Sequence, residues 1–133
     1  MEFKTNSYQD LKVWQKAMDL VVKVYEVTKK FPSEEKFALI SQLTRSVVSI
    51  PSNIAEGAGR ESKKEFSQFL SISLGSCFEA ETQLILAFRL GYISIEELKS
   101  LSENFLEIQK MIFGLKKSLL TKLGLLLFFF FNF

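Results

Sequence analysis

Residues 42–64 read QLTRSVVSIPSNIAEGAGRESKK, and the fold turns on how this stretch is parsed. Ile40, Leu43, Val47, Ile50 and Ile54 fall at steps of 3, 4, 3 and 4, the spacing of a helix that buries one stripe. The stripe runs straight through Pro51. An interior proline removes a backbone hydrogen bond and costs about 3 kcal/mol, so the helix either stops near Ser49 or continues with a kink. Ile54 and Ala55 keep the phase of the stripe beyond the proline, which a loop would have no reason to do, and this favours the kinked helix. Gly57-Ala58-Gly59 is the expected stop, with a glycine in the left-handed cap conformation.

Toward the N-terminus, Leu11, Trp14, Met18, Val21, Tyr25 and Thr28 step by 3, 4, 3, 4 and 3. This spacing predicts a first helix starting near Ser7 or Asp10, with Trp14 among the core residues. Lys12, Lys16, Asp19, Lys23, Glu26 and Lys30 alternate in sign on the other side and read as a solvated face. Phe31-Pro32 ends the helix, since the residue before a proline is pushed toward extended backbone. Ser33, followed by Glu34 and Glu35, reads as the N-cap and acidic first turn of the second helix.

Toward the C-terminus, Glu61 to Glu65 opens a third helix with the seam Phe66, Leu70, Ser73, Cys77, Ala80, Leu84 and Ala87. Its small residues predict close approach of another element at mid-helix. Gly75 costs roughly 1 kcal/mol in a helix interior, which such packing would offset, with Trp14 or a phenylalanine as the facing group. Gly91 caps this helix and Ser94 starts the next, whose seam is Leu98, Leu101, Phe105, Ile108, Ile112, Leu115 and Leu119. Four helices joined by short turns predict an all-α protein, an antiparallel up-down-up-down four-helix bundle over residues 1–120. Residues 121–133, which include LGLLLFFFFNF, stand apart. Their nine apolar or glycine residues from Leu123 to Phe131 fall short of the about 20 that span a bilayer. Three readings are open: an extension of the fourth helix into a partner, a weak interfacial anchor, or a passenger of a shifted reading frame.

The totals narrow the chemistry. A chain of 133 residues is one domain by length. Seventeen Lys and Arg against fifteen Asp and Glu leave +2, too little by itself to argue for nucleic acid. With no histidine and Cys77 as the single cysteine, an internal disulfide is impossible, the usual zinc sets are missing and the commonest general base is lost. No enzyme activity and no cofactor are expected. The polar start, MEFKTNSYQD, has no apolar run after a basic opening, so the expected location is the cytoplasm.

GAGRESKK lacks the spacing of a phosphate loop and reads as a turn. Glu56, Glu61, Glu79 and Glu81 do not pair with a histidine three residues on, which argues against a carboxylate metal centre in the bundle. Arg45, Asn53, Glu56 and Glu79 are expected either as a hydrogen-bonded set that fixes helix register, Arg45 meeting a carboxylate, or as groups facing a groove on an oligomer. Arg60, Lys63 and Lys64 open the third helix while Lys116, Lys117 and Lys122 close the fourth. These two clusters are expected at opposite ends of the rod. Repeated around a ring of subunits, such a patch becomes a belt able to track phosphates; on a monomer the lysines are ordinary solvated groups.

From about Tyr8 to Leu119 the chain resembles the four-helix-bundle proteins encoded within intervening sequences of bacterial 23S ribosomal RNA, the S23 ribosomal protein family. The resemblance is carried by Leu11-Lys12-Val13-Trp14, Phe31-Pro32 with Glu35, and Gln42-Leu43 with Arg45. It is carried further by the run Ser49-Ile50-Pro51-Ser52-Asn53-Ile54-Ala55-Glu56-Gly57 with Gly59-Arg60, and by Gly75-Ser76 with Glu79. It implies a compact bundle assembling into a ring, typically a homopentamer, without known enzymatic activity. A similar bundle is the accessory protein of diversity-generating retroelements, where a basic ring associates with nucleic acid and a reverse transcriptase. RNA or DNA binding is the function this implies, and the basic residues Arg60, Lys63, Lys64, Lys116 and Lys117 are the ones expected to carry it. The alternative is a protein-interaction scaffold in which the Ser52–Gly57 run and the small-residue face of the third helix pack subunits or a partner, with Arg45, Pro51, Ser52, Asn53, Glu56, Gly57, Gly59 and Glu79 as family-signature residues of structural or interface role. The modest net charge and the phenylalanine tail depart from the family pattern.

Overall fold

The structure, a computed structural model, describes residues 7–120. The apolar tail and Lys122 lie outside the described residues. Four helices follow in order: α1, Lys12–Thr28; α2, Leu39–Ala58; α3, Lys63–Arg89; and α4, Ile95–Ser118. No strand occurs among the described residues. Each helix neighbours the next, and α4 returns to α1.

Every neighbouring pair runs antiparallel. Along α2 and α3, Ser46 meets Gln83, Ser49 meets Ser76 and Ile50 meets Ser73, one number rising as the other falls. Lys16 and Lys23 of α1, and Lys30 just after it, reach Glu107, Asn104 and Glu97 of α4 in the same reversed order. Glu81 and Ser71 of α3 meet Gln109 and Lys116 of α4. On the remaining side Trp14 and Val21 share one hollow with Val48 and Ala55, and Tyr25 shares another with Thr44 and Arg45, so the expected up-down-up-down order is the one observed.

The seams of α3 and α4 are buried as their spacing predicts, apart from a partly covered Leu98. That of α1 is only partly the predicted one: Leu11 and Thr28 are buried as expected, but the four residues between them are not. Val13, Ala17, Leu20 and Val24 point to the centre, whereas Met18 and Tyr25 are exposed and Trp14 and Val21 only half-buried. Both strips are apolar at helical spacing; α1 turns the slimmer one inward, and its bulkier side chains cover the flank toward α2. There Trp14 stacks edge-on against Tyr8, ring centroids 5.3 Å apart, and not against α3.

The α1–α2 connection also departs from the expectation. Ser33–Glu35 forms a single 3-10 turn instead of opening α2, which begins only at Leu39, after Ala38 leaves helical geometry at φ −120°, ψ −103° and supplies no side-chain cap. The hinge is held from below by Phe31, buried and tilted against Tyr92 with centroids 5.4 Å apart.

α2 continues through Pro51, as its stripe requires. Side chains around the proline bond back onto the preceding turn: Ser52 Oγ donates to the Val48 carbonyl at 2.9 Å, and Asn53 Nδ2 to the Ser49 carbonyl at 2.9 Å. The helix ends at Ala58, but Gly59 stays right-handed at φ −82°, so no left-handed cap is used. The stop comes from the sharp entry into α3, where Ser62 Oγ accepts from the Glu65 amide at 3.1 Å. Gly91, at φ +82°, is the left-handed cap of α3: its N–H reaches the Phe88 carbonyl and that of Tyr92 reaches Ala87, both at 2.9 Å. Ser94 and Glu97 then close a capping box on α4.

Candidate nucleic-acid interface

The stretch from Ile50 to Gly59 does two jobs in sequence order. Its inner side sets how closely α2 meets α3. Ser73 Oγ donates to the Ile50 carbonyl at 2.9 Å, a bond from one helix to the backbone of another that only close packing allows. At Gly57 an added Cβ would lie 2.7 Å from Phe69 Cβ and 3.0 Å from the Phe66 ring. The predicted close approach to α3 therefore occurs, but at Ser73, Ser76 and Gly57. Gly75 takes no part: it is exposed, and a Cβ there would meet nothing within 4 Å.

The outer side carries the polar residues of the stretch. Arg45, Ser52 and Glu56 are exposed, Asn53 is half-buried, and Glu79 is exposed on α3. Arg45 meets no carboxylate among the described residues, so the expected internal set does not form within one chain. The physical reason is position: Arg45 is turned away from the Leu43–Val47–Ile50 stripe, beside a shallow hollow lined by Tyr25, Thr44 and Ser49. Pro51 is buried and walls a larger apolar hollow of about 390 Å³ together with Tyr8, Trp14, Met18 and Val48.

The basic residues are arranged differently from the expectation of two separate patches. Because α4 runs back along α3, its last turns return beside the start of α3, and Lys116 Nζ donates to Ser71 Oγ at 2.5 Å. Lys63 and Lys64 therefore share one end of the bundle with Lys116 and Lys117. None of the four is in an ion pair among the described residues. Arg60 is otherwise engaged. Its guanidinium binds Glu56 at 2.6 Å, lies 3.8 Å from Glu65 and sits over the Phe69 ring at 4.8 Å from the centroid. Arg60, one of the cations expected to contact phosphate, is thus paired with two acids.

Reactive chemistry is scarce. Burial pushes the Cys77 thiol up to about 12, with the nearby Glu81 charge adding to the effect, so it is held as a protonated core group. Among the described residues no group of three His, Cys, Asp or Glu is placed to hold a metal ion, and no helix is long and apolar enough to cross a membrane. Fold and site together define a small antiparallel helical bundle with a tight α2–α3 pair and a lysine-rich end.

The chain belongs to the 23S rRNA-intervening sequence protein family, whose model matches residues 9–114. A crystal structure of a protein of unknown function from the S23 ribosomal protein family of Bacteroides thetaiotaomicron is similar to it. The two are 31% identical, with a TM-score of 0.73 over 79% of this chain and 98% of that one. No curated protein matches the chain.

Proposed function

We propose that this is a non-catalytic bundle that binds RNA or DNA through its lysine-rich end. The observation that carries the reading is the juxtaposition of Lys63 and Lys64 with Lys116 and Lys117 across the α3–α4 seam, four cations that form no ion pair among the described residues. Such a cluster neutralises phosphates and releases their counterions, giving sequence-tolerant affinity that depends steeply on salt. The family description, which concerns ribosomal RNA genes, is in keeping with a nucleic-acid partner. Titrating labelled RNA and DNA with the full chain between about 50 and 200 mM salt tests it: affinity should fall linearly on a log–log plot, and a flat response would contradict it.

Self-assembly is part of the same reading, with a homopentamer as the form implied by resemblance. Arg45 and Glu79 are exposed charges with no ion-pair partner among the described residues, and Ile72 and Leu86 are exposed apolar groups on α3. A second copy covering this α2–α3 side would pair the charges and repeat the lysines around a ring. The same features also support the rival scaffold role, in which charge is incidental. Arg45→Glu separates the two: loss of both assembly and nucleic-acid affinity supports a ring belt, while loss of assembly alone supports the scaffold.

A further inference from the structure

Two half-exposed phenylalanines lie on the seam beside the lysines, and the basic cluster alone does not account for them. Phe78 of α3 is 48% exposed and Phe113 of α4 is 54% exposed. The bonds from Glu81 to Gln109 and from Ser71 to Lys116 fix the register of the two helices, and in that register Phe113 falls opposite the turn containing Gly75. Gly75 has no side chain and a Cβ there would meet nothing within 4 Å, so the surface beside the ring is open.

Spacing places these rings in line with the charges. On α3, Lys64, Ser71 and Phe78 recur every seven residues and so lie along one flank, about 21 Å from end to end at 1.5 Å per residue. On α4, Phe113 has Lys110, Lys116 and Lys117 within one turn on either side, the set that shares its face or the next. Among the described residues Lys116 alone of these lysines has a polar partner, and that is the neutral Ser71. The acid on the seam, Glu81, accepts from Gln109 at 3.1 Å.

We propose that the α3–α4 flank is a stacking platform for unpaired bases, so that the nucleic acid bound at the lysine-rich end is single-stranded. This rests on the nucleic-acid reading above and adds the class of ligand. A phenyl ring standing at the surface can stack only on a base that is not already stacked and paired within a helix. Lysines on both sides of Phe113 hold the backbone while the rings take the bases, which is the arrangement by which single strands are bound without sequence preference. Phosphate contacts alone would favour the duplex, whose charge density is higher.

The test uses the full chain and a labelled, unstructured oligonucleotide of about 20 nucleotides, as single strand and as duplex, with binding read by fluorescence anisotropy. The parent should prefer the single strand. Phe78→Ala and Phe113→Ala should each weaken single-strand binding about fivefold or more, with the slope against log salt unchanged. Phe113→Tyr, which keeps an aromatic face, should bind as the parent does. Lys63→Ala with Lys64→Ala should instead reduce the slope. Phenylalanine variants that bind like the parent while the lysine variant weakens would overturn the stacking platform and leave the nucleic-acid reading standing. Absence of binding to either form would overturn both. A change of mass by light scattering in the phenylalanine variants would make this flank an interface between copies and likewise overturn the proposal.

Discussion

Gly57 of α2 faces Phe69 of α3 so closely that a methyl group at Gly57 would stand 2.7 Å from Phe69 Cβ. The atom in the way is next to the backbone, so it cannot swing aside. Gly57 is the last residue of the Ser52-Asn53-Ile54-Ala55-Glu56-Gly57 run, and this contact gives a physical reason for a glycine there. It sets the spacing of the two helices just before they turn into one another.

Gly57→Ala should therefore destabilise the fold although alanine is the better helix former. Overpacking costs about 1–3 kcal/mol, and the gain in helix propensity returns no more than about 1 kcal/mol. A net loss of about 1–2 kcal/mol in urea unfolding is expected. A gain in stability would show that α2 and α3 separate freely at this point.

Leu20 and Trp14 exchange the ranks that size alone would assign them. Leu20 is 1% exposed at the centre, whereas Trp14 is half-buried against Tyr8 on the α1–α2 flank. Leu20→Ala should cost about 2–5 kcal/mol, as for a buried leucine. Trp14→Ala should cost less than the about 3–5 kcal/mol of a buried tryptophan, since much of its surface never leaves water. Equal losses in chemical denaturation would place Trp14 in the core after all.

Acid should unlatch the α1–α4 contact first. The Lys30 ammonium, followed by the Ser94 amide, holds the Glu97 carboxyl below its ordinary value of 4.5. A carboxylate with a depressed folded value contributes stability that is fully present above the ordinary value and is lost as pH falls through the depressed one. Lys30→Met should flatten the decline of stability below about pH 4.5, with little change, about 0.2–1 kcal/mol, at neutral pH. Parallel acid limbs for parent and variant in denaturant titrations would refute the coupling.

The extent to which the sequence disclosed all this varied by element, for physical reasons. α4 was legible because Leu101, Phe105, Ile108, Ile112 and Leu115 form one apolar strip with no rival, and Ser94-x-x-Glu97 marks its start. α1 was not, because Val13-Ala17-Leu20-Val24 and Trp14-Met18-Val21-Tyr25 are both apolar at helical spacing and only the tertiary packing chooses between them. Ser33-Glu34-Glu35 carries the local signature of a helix start, yet the chain spends it on one 3-10 turn. Arg45 lacks a carboxylate because its side of α2 faces outward, which an isolated helix cannot reveal. The joining of Lys63 and Lys64 to Lys116 and Lys117 follows from topology, since antiparallel neighbours return each helix end to the previous helix start. Phe78 and Phe113 gave no sequence signal, since a phenylalanine outside a core strip is conspicuous only once the strip is fixed.

The central claim is that the two lysine pairs act on one ligand, and the salt dependence of nucleic-acid affinity in paired variants tests it most directly. Single-strand binding would be measured for the parent, for Lys63→Ala with Lys64→Ala, for Lys116→Ala with Lys117→Ala, and for all four together. One shared patch predicts that each pair lowers the log–log salt slope by about 1.4, and that the fourfold variant loses about 2.8, as expected for single-strand phosphate contacts. A slope that no variant changes, or binding that saturates at two independent strands per chain, would contradict it.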